Sequence, residues 1–184
     1  MKPTSEDSFT RAFFPSPIRL AGIKIPYITL GQYHMLQRYA ILSPQSIGDC
    51  VLGMSIVRER THARLVRCVA SWERWGQLKL WMNSPLALTI RYLGDDFLEG
   101  WRVMISENTS MPDLGEPTKP MLVEDGVPFA CLLRAVLVER FGYCPKTIWE
   151  EPFLLLLHDF AVATGMRLEG AEDRDLLDQL KGRV

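Results

Sequence analysis

The sequence predicts a mainly α protein of about six helices in a compact bundle, with a small β-hairpin near its N-terminus. Apolar residues recur at three- and four-residue spacings along most of the chain, as they do on one face of a helix. Residues that start and stop helices bound these stretches, and apolar and polar residues alternate near the N-terminus. Hydrophobic residues make up 47% of the 184 residues, which is enough for a packed core.

The N-terminal region predicts an arm followed by the hairpin. Residues 1–17 contain three prolines and few core residues, which predicts a flexible arm. Ile18–Tyr27 alternates apolar and polar residues on both sides of Ala21-Gly22, a pair suited to a tight turn. An isolated hairpin is marginally stable, so we expect it to pack on the helices.

The first helix is predicted from Thr29 to about Ala40. Thr29 followed three residues later by Gln32 is typical of a capping box, in which each side chain binds a free backbone N–H of the new helix. Ser43-Pro44 ends this stretch. The residues predicted on or beside its apolar face are Leu30, Tyr33, Met35, Leu36 and Tyr39.

Three further helices are predicted before residue 106. The second opens at Ser46 and Asp49, the third covers about His62–Trp75, and the fourth runs from Ser84-Pro85 to about Trp101. Their inward residues are predicted to be Ile47, Val51, Met54 and Val57, then Leu65, Cys68, Val69 and Trp72, then Leu86, Ile90, Leu93 and Phe97.

The domain organisation follows from a change in composition. Residues 18–105 form the hairpin and the first helical block, and residues 106–127, with three prolines and two glycines, are predicted to be a linker. Residues 128–184 form a second helical block that packs on the first. Its predicted elements are a helix from Pro128 to Gly142, one turn at Pro145–Trp149, a helix Phe153–Thr164 between Pro152 and Gly165, and a helix Ala171–Leu180.

Charge and cysteine usage limit the compartment and the partners. A net charge of -1 provides no overall field for nucleic acid or an anionic membrane. The longest apolar run, Phe153–Leu157, is far shorter than the roughly 20 residues that span a bilayer. We therefore expect a cytoplasmic protein without a membrane partner. Its four cysteines include no CxxC pair and are predicted to be buried free thiols: Cys50, Cys68, Cys131 and Cys144.

No motif predicts a metal or a cofactor. The histidines are His34, His62 and His158, and the closest His/Cys pair, His62 and Cys68, is six residues apart, the wrong phase for neighbouring zinc ligands on a helix. The sequence also lacks the glycine-rich motifs of nucleotide-binding loops. We expect no metal-binding and no cofactor-binding residues.

No catalytic residue is predicted either. The adjacent acids Asp95-Asp96 and Glu150-Glu151 point in different directions on a helix, so neither pair forms a shared-proton dyad. An enzyme whose site assembles only in three dimensions remains an alternative.

The middle of the chain supplies the candidate contact residues. Arg58, Arg60, Arg64, Arg67 and Arg74 form a basic cluster, and Arg60, Arg64 and Arg67 have the spacing of one helical face. This cluster supports a second alternative, a nucleic-acid-associated regulator. Tryptophans near predicted helix ends are candidate hot spots of a protein contact. The predicted partner-binding residues are Trp75, Trp81, Trp101, Arg60, Arg64 and Arg67.

Two segments carry a resemblance to a known family. One is IRLAGIKIPYITLGQYHMLQRY, a hairpin that runs into a capped helix, and the other is LVERFGYCPKTIWEEPFLLLLHDFAVATG, a helix, a glycine, a short turn and a second helix. In this layout the chain resembles small phage and prophage proteins of the tail assembly chaperone type. The resemblance implies a non-catalytic, mostly α-helical protein of the bacterial host's cytoplasm that acts in virion assembly. Its partner would be a long helical tape measure protein, which it keeps soluble until tail-tube subunits polymerise.

Overall fold

The computed structural model describes residues 17–75, 83–109 and 127–164. In these ranges the chain forms an antiparallel hairpin, seven α-helices and one turn of 3₁₀ helix. The mainly α class with an N-terminal hairpin is confirmed. The elements are β1 (Ile18–Leu20), β2 (Ile23–Ile25), α1 (Leu30–Arg38), α2 (Ile47–Arg58), α3 (His62–Trp75), α4 (Pro85–Leu93), α5 (Asp95–Thr109), α6 (Phe129–Phe141), the 3₁₀ turn (Ile148–Glu150) and α7 (Phe153–Thr164).

The hairpin forms where the alternation predicts it. β1 pairs with β2 so that Leu20 lies opposite Ile23, and Ala21 and Gly22 both have positive φ (48° and 78°), as a tight two-residue hairpin turn requires. Leu20 is buried against α5, where a Cβ on Gly100 would lie only 2.8 Å from the Leu20 Cδ1. The hairpin is therefore packed on the helices through its apolar face.

Capping boxes begin α1, where Thr29 and Gln32 predict one, and α2, where Ser46 and Asp49 predict the helix start. The Gln32 N–H donates to Thr29 Oγ1 (3.2 Å) and the Thr29 N–H donates to Gln32 Oε1 (2.8 Å). Ser46 and Asp49 make the same reciprocal pair at the start of α2, at 3.1 and 2.9 Å. These bonds satisfy N–H groups that have no partner within the helix.

The predicted single helix from Pro85 to Trp101 is wrong. The chain forms two helices, α4 and α5, separated by Gly94, which has a φ of 53°. Glycine adopts this left-handed φ without steric cost, and Asp95 and Asp96 then place negative charge at the positive N-terminus of α5. α5 continues to Thr109, so residues 106–109 of the predicted linker are helical.

The single apolar stripe predicted for α2 is also wrong. All eight residues from Cys50 to Val57 are buried, whereas Ile47 is 37% exposed. α2 lies at the centre of the first block, where it contacts α1, α3, α4 and β2. A helix surrounded in this way is buried on all sides.

Trp101 is a third correction, because it lies inside α5 and is completely buried. Its indole lies against Gly53 of α2, where a Cβ would be 2.5 Å from the ring. The indole N–H donates to the Leu42 carbonyl at 3.4 Å. Trp101 is thus a core residue and is not accessible to a partner.

Two hydrophobic cores meet at the segment that precedes α1. The first is formed by the hairpin and α1–α5, and the second by Leu30 with α6, the 3₁₀ turn and α7. The Leu30 N–H donates to the Glu151 carbonyl (3.0 Å), and the Phe153 N–H donates to the Ile28 carbonyl (2.9 Å). The Tyr33 ring stacks on Phe153 at a centroid distance of 3.9 Å. We call residues 28–30 with 151–153 the central bridge.

The cysteines are free, but they are not all buried. Cys50 is buried as predicted, Cys68 and Cys131 are half-buried, and Cys144 is exposed. Cys144 lies in the loop after α6, which ends at Gly142 with a left-handed φ of 68°. The burial predicted for Cys144 is therefore wrong.

Several predicted elements lie outside the described residues. They are the arm up to residue 16, residues 76–82 with Trp81, linker residues 110–126, Gly165 and the helix Ala171–Leu180. Among the helices that the structure describes, none has the combined length and apolarity needed to cross a membrane.

Candidate functional site

Trp149 lies at the centre of a cluster to which three helices contribute. Its ring stacks on the His62 ring of α3 at 5.4 Å between centroids, with 13° between the planes. The His34 ring of α1 lies at 5.6 Å and is tilted by 43°. The Arg134 guanidinium of α6 lies 5.6 Å from the ring centroid, within the range of a cation–π contact. We call these four residues the Trp149 cluster.

Backbone contacts fix the position of this cluster. The Glu150 carboxylate accepts a hydrogen bond from the His62 N–H at 3.0 Å, which ties the first residue of α3 to the 3₁₀ turn. Gly31 of α1 lies directly against the turn, since a Cβ there would be 2.9 Å from the Trp149 carbonyl oxygen and 3.3 Å from His62 Nδ1. The approach of α1 to the turn therefore depends on the missing side chain of Gly31.

Three polar atoms of the cluster are buried and have no hydrogen-bond partner among the described residues: His34 Nδ1, His62 Nδ1 and Arg134 Nε. Arg134 Nη2 donates to the Pro145 carbonyl at 3.4 Å. Burial lowers the pKa of His34, and the nearby Arg38 and His62 lower it further. Burial also lowers the pKa of His62, although Glu150 opposes this effect. Both imidazoles are therefore neutral at pH 7 and pack as aromatic rings.

A groove borders His34. It has a volume of about 580 Å³ and is lined by residues of α1 and of the start of α6. This volume falls within the roughly 300–1,000 Å³ of typical binding clefts. We call it the α1–α6 groove, and its lining residues are His34, Gln37, Arg38, Pro128 and Cys131.

A second polar cluster joins α7 to the loop after α6. The Tyr143 hydroxyl donates to Asp159 Oδ2, and Asp159 Oδ1 lies 3.0 Å from His158 Nδ1. Burial and the Asp159 carboxylate both raise the pKa of Tyr143, so the phenol keeps its proton. Because a protonated phenol is a poor nucleophile, this cluster is better suited to holding the loop in place than to covalent catalysis.

The described residues do not bring together a set of side chains that could bind a metal ion. Across 17–75, 83–109 and 127–164, no group of three or more His, Cys, Asp or Glu residues is placed to hold a metal ion. His34 and His62 are near each other, but both face Trp149.

Arg60 does not share a helical face with Arg64 and Arg67, contrary to the prediction. It precedes the start of α3 at His62, donates from Nη1 to the Tyr27 carbonyl at 3.0 Å, and lies over the Tyr27 ring at 5.5 Å. Arg64 and Arg67 are exposed on α3, and Arg67 Nε donates to the Ala63 carbonyl at 3.2 Å. The exposed basic surface is therefore smaller than the spacing of the arginines in the sequence predicts.

The predicted tryptophans are distributed differently. Trp75 is the last residue of α3, and its side chain lies outside the described part of the chain, as does Trp81. Trp101 is buried in the core. Sequence reasoning missed Trp149 as a site residue, because its neighbours come from three distant helices and no local spacing relates them.

Comparison of the chain with protein-family models, curated proteins and solved structures gave no match.

Proposed function

We propose that this protein is a non-catalytic assembly factor of the phage tail assembly chaperone type, which binds a long helical partner such as a tape measure protein in the bacterial cytoplasm. The observation that best supports this proposal is the central bridge, because it joins the two segments that carry the family resemblance. The first segment contributes Ile28 and Leu30, and the second contributes Glu151 and Phe153.

The two segments that carry the family resemblance pack together as one structural unit. α1 contributes Leu30 to the core of the second block and Leu36 to the core of the first. Tyr33 packs against both cores and stacks on Phe153. Held together in this way, the hairpin, the capped helix and the last two described helices form a rigid frame. A partner helix can dock on this frame.

Exposed apolar side chains also support a protein partner. Tyr92 is 90% exposed and Leu88 is 55% exposed, and the two are four residues apart on α4. Residues at this spacing share one helical face, and tyrosine is enriched among the residues that dominate protein contacts. This face is a second surface on which a helical partner can dock.

The nucleic-acid alternative has weaker support. Arg60 is half-buried and is engaged by Tyr27, so the predicted three-arginine face keeps only Arg64 and Arg67. The other members of the cluster are exposed at its two ends: Arg58 and Arg74. Strong binding to nucleic acid requires several phosphate contacts. We therefore place protein binding first.

A capture experiment followed by co-expression tests the proposal. The tagged full chain is used to isolate partners from its native host or from a phage-induced lysate, with an unrelated tagged helical protein as the control. We expect to recover a long, helix-rich protein, and to find more of that protein in the soluble fraction when both chains are co-expressed. Turnover of a substrate, or recovery only of nucleic acid that salt releases, would contradict the proposal.

A further inference from the structure

We infer that the α1–α6 groove is the partner-binding site and that it accepts an acidic amphipathic helix, whose carboxylates pair with Arg38 while its apolar side chains enter the groove beside Pro128 and Cys131. This inference rests on the proposed function and specifies the chemistry of the partner.

The first support is the charge on the α1 side of the groove. Arg38 is exposed in the last turn of α1, and its guanidinium lies 5.8 Å from the Tyr39 ring centroid. Among the described residues, the ion pairs within 4.0 Å are Arg102–Glu99 and His158–Asp159, and neither involves Arg38. An arginine in this position presents paired N–H donors that match the geometry of a carboxylate.

The second support is the start of α6 on the other side of the groove, which also favours negative charge. α6 is 13 residues long and begins after Pro128, whose side chain makes no capping hydrogen bond. The start of a helix carries partial positive charge and N–H groups that lack partners within the helix. The N–H of Cys131 already donates to the Pro128 carbonyl at 2.8 Å, so this wall adds only the partial positive charge of the helix start to the charge of Arg38.

The third support is the size and the remaining lining of the groove. A volume of about 580 Å³ accommodates a few side chains of a docked segment rather than a whole helix. Pro128 and Cys131 supply apolar surface, and His34 adds a neutral ring that is backed by Trp149. Helices that dock in such grooves insert apolar residues at three- or four-residue spacing and keep their polar residues at the rim.

Two synthetic helical peptides with the same apolar face test the inference on the full chain. One peptide carries glutamate along the polar rim and the other carries lysine, and fluorescence anisotropy measures their dissociation constants. We expect the glutamate peptide to bind more tightly. Arg38→Glu should weaken this binding by about fivefold or more and shift the preference toward the lysine peptide, because one attraction is replaced by one repulsion.

Arg19→Glu is the matched control, because it makes the same charge change at an exposed position of β1. We expect it to leave both dissociation constants within about twofold of the original, since Arg19 lies in the hairpin and is not part of the groove lining. Far-ultraviolet circular dichroism of both variants checks that the helical content is unchanged.

Three results would overturn the inference. These are equal binding by the Arg38→Glu variant, an equal loss in the Arg19→Glu variant, and no binding of either peptide. If citrate raises the melting temperature of the protein and neither peptide binds, the groove binds a small carboxylate ligand. This result would also overturn the inference that a helix occupies the groove. If the Arg38→Glu variant still captures the native partner at full yield, the groove assignment fails while the proposed function stands.

Discussion

In the Trp149 cluster, two neutral histidines contribute to the packing of α1, α3 and α6. His34 and His62 both face the same indole ring, and each has a buried ring nitrogen without a hydrogen bond. The guanidinium of Arg134 already occupies a third position around the ring. A proton added to either imidazole therefore enters a partly buried site that already contains positive charge.

The lowered pKa values predict a loss of stability in mild acid. Below the ordinary value of 6.5 the unfolded state binds protons at His34 and His62, whereas the native state keeps both rings neutral until a lower pH. The free energy of unfolding should therefore fall as the pH decreases below about 6.5 and level off below the native pKa values.

Urea unfolding between about pH 7.5 and pH 5 measures this effect. The double variant His34→Gln, His62→Gln should show a weaker pH dependence across the same range, because it removes the two groups that take up protons. An equally steep pH dependence in the double variant would show that other titratable groups cause the loss of stability.

Gly31 is the residue on which the approach of α1 to the turn depends. Gly31→Ala should lower the free energy of unfolding by about 1–3 kcal/mol, because its Cβ would meet the Trp149 backbone carbonyl at 2.9 Å. Gly48→Ala in α2 is the matched control. Its Cβ meets only Ser46 Oγ, at 3.4 Å, so alanine should be neutral or stabilising by up to about 1 kcal/mol. Chemical denaturation compares the two, and a stable Gly31→Ala protein would contradict the packing.

The thiols should differ sharply in reactivity. Cys144 is exposed, and N–H groups of the following turn lower its pKa, whereas burial raises the pKa of Cys68 to about 11 and also raises that of Cys50. Because the thiolate is the nucleophile, iodoacetamide should modify Cys144 first in the native protein. Mass spectrometry of digested samples over time identifies the order, and faster labelling of Cys50 or Cys68 would contradict it.

At the scale of elements, Gln32 holds two helices together. Its side-chain oxygen completes the capping box of α1, and its amide group donates to the carbonyls of Val57 (2.9 Å) and Glu59 (2.8 Å) at the end of α2. The start of one helix and the end of another therefore share one buried side chain.

Gln32→Ala should lower the free energy of unfolding by about 1–3 kcal/mol, because it leaves buried backbone groups without partners. Gln37→Ala, at an exposed position of the same helix, should change it by less than about 0.5 kcal/mol. Thermal and chemical denaturation measure both variants. Similar effects at the two positions would show that the network around Gln32 contributes little.

Elements with local determinants were predictable from the sequence. Thr29 with Gln32, the Ala21-Gly22 turn and Gly142 each act within a few residues, and their effects are found where expected. The break at Gly94 was missed because the apolar spacing continues across it. The full burial of α2 was missed because it depends on the helices that surround it.

The candidate site was less predictable than the elements. His34, His62, Arg134 and Trp149 lie on four separate elements, and only the tertiary packing brings them together. Arg60 was misplaced because its spacing from Arg64 suggested one helix, whereas α3 starts at His62.

At the scale of the whole molecule, the central bridge predicts that the two cores unfold together. Phe153 is 1% exposed in the second core and stacks on Tyr33, which packs against both. Phe153→Ala should lower the free energy of unfolding by about 3–5 kcal/mol and leave a single cooperative transition.

Hydrogen exchange measured on α2 and α7 provides the test of this coupling. We expect protection to fall in both helices by a similar free energy, because their cores share α1. Leu88→Ala, at a 55% exposed position of α4, is the control and should leave both unchanged. Loss of protection in α7 alone would show that the two cores are independent.

The central bridge also has a consequence for synthesis of the protein on the ribosome. α1 is made early, but Leu30 and Tyr33 find their partners in Phe153 and its neighbours, which are among the last described residues to be made. The nascent chain therefore carries this apolar face of α1 uncovered until Phe153 and its neighbours have been made. Native packing around α1 is completed only after α7 has left the exit tunnel.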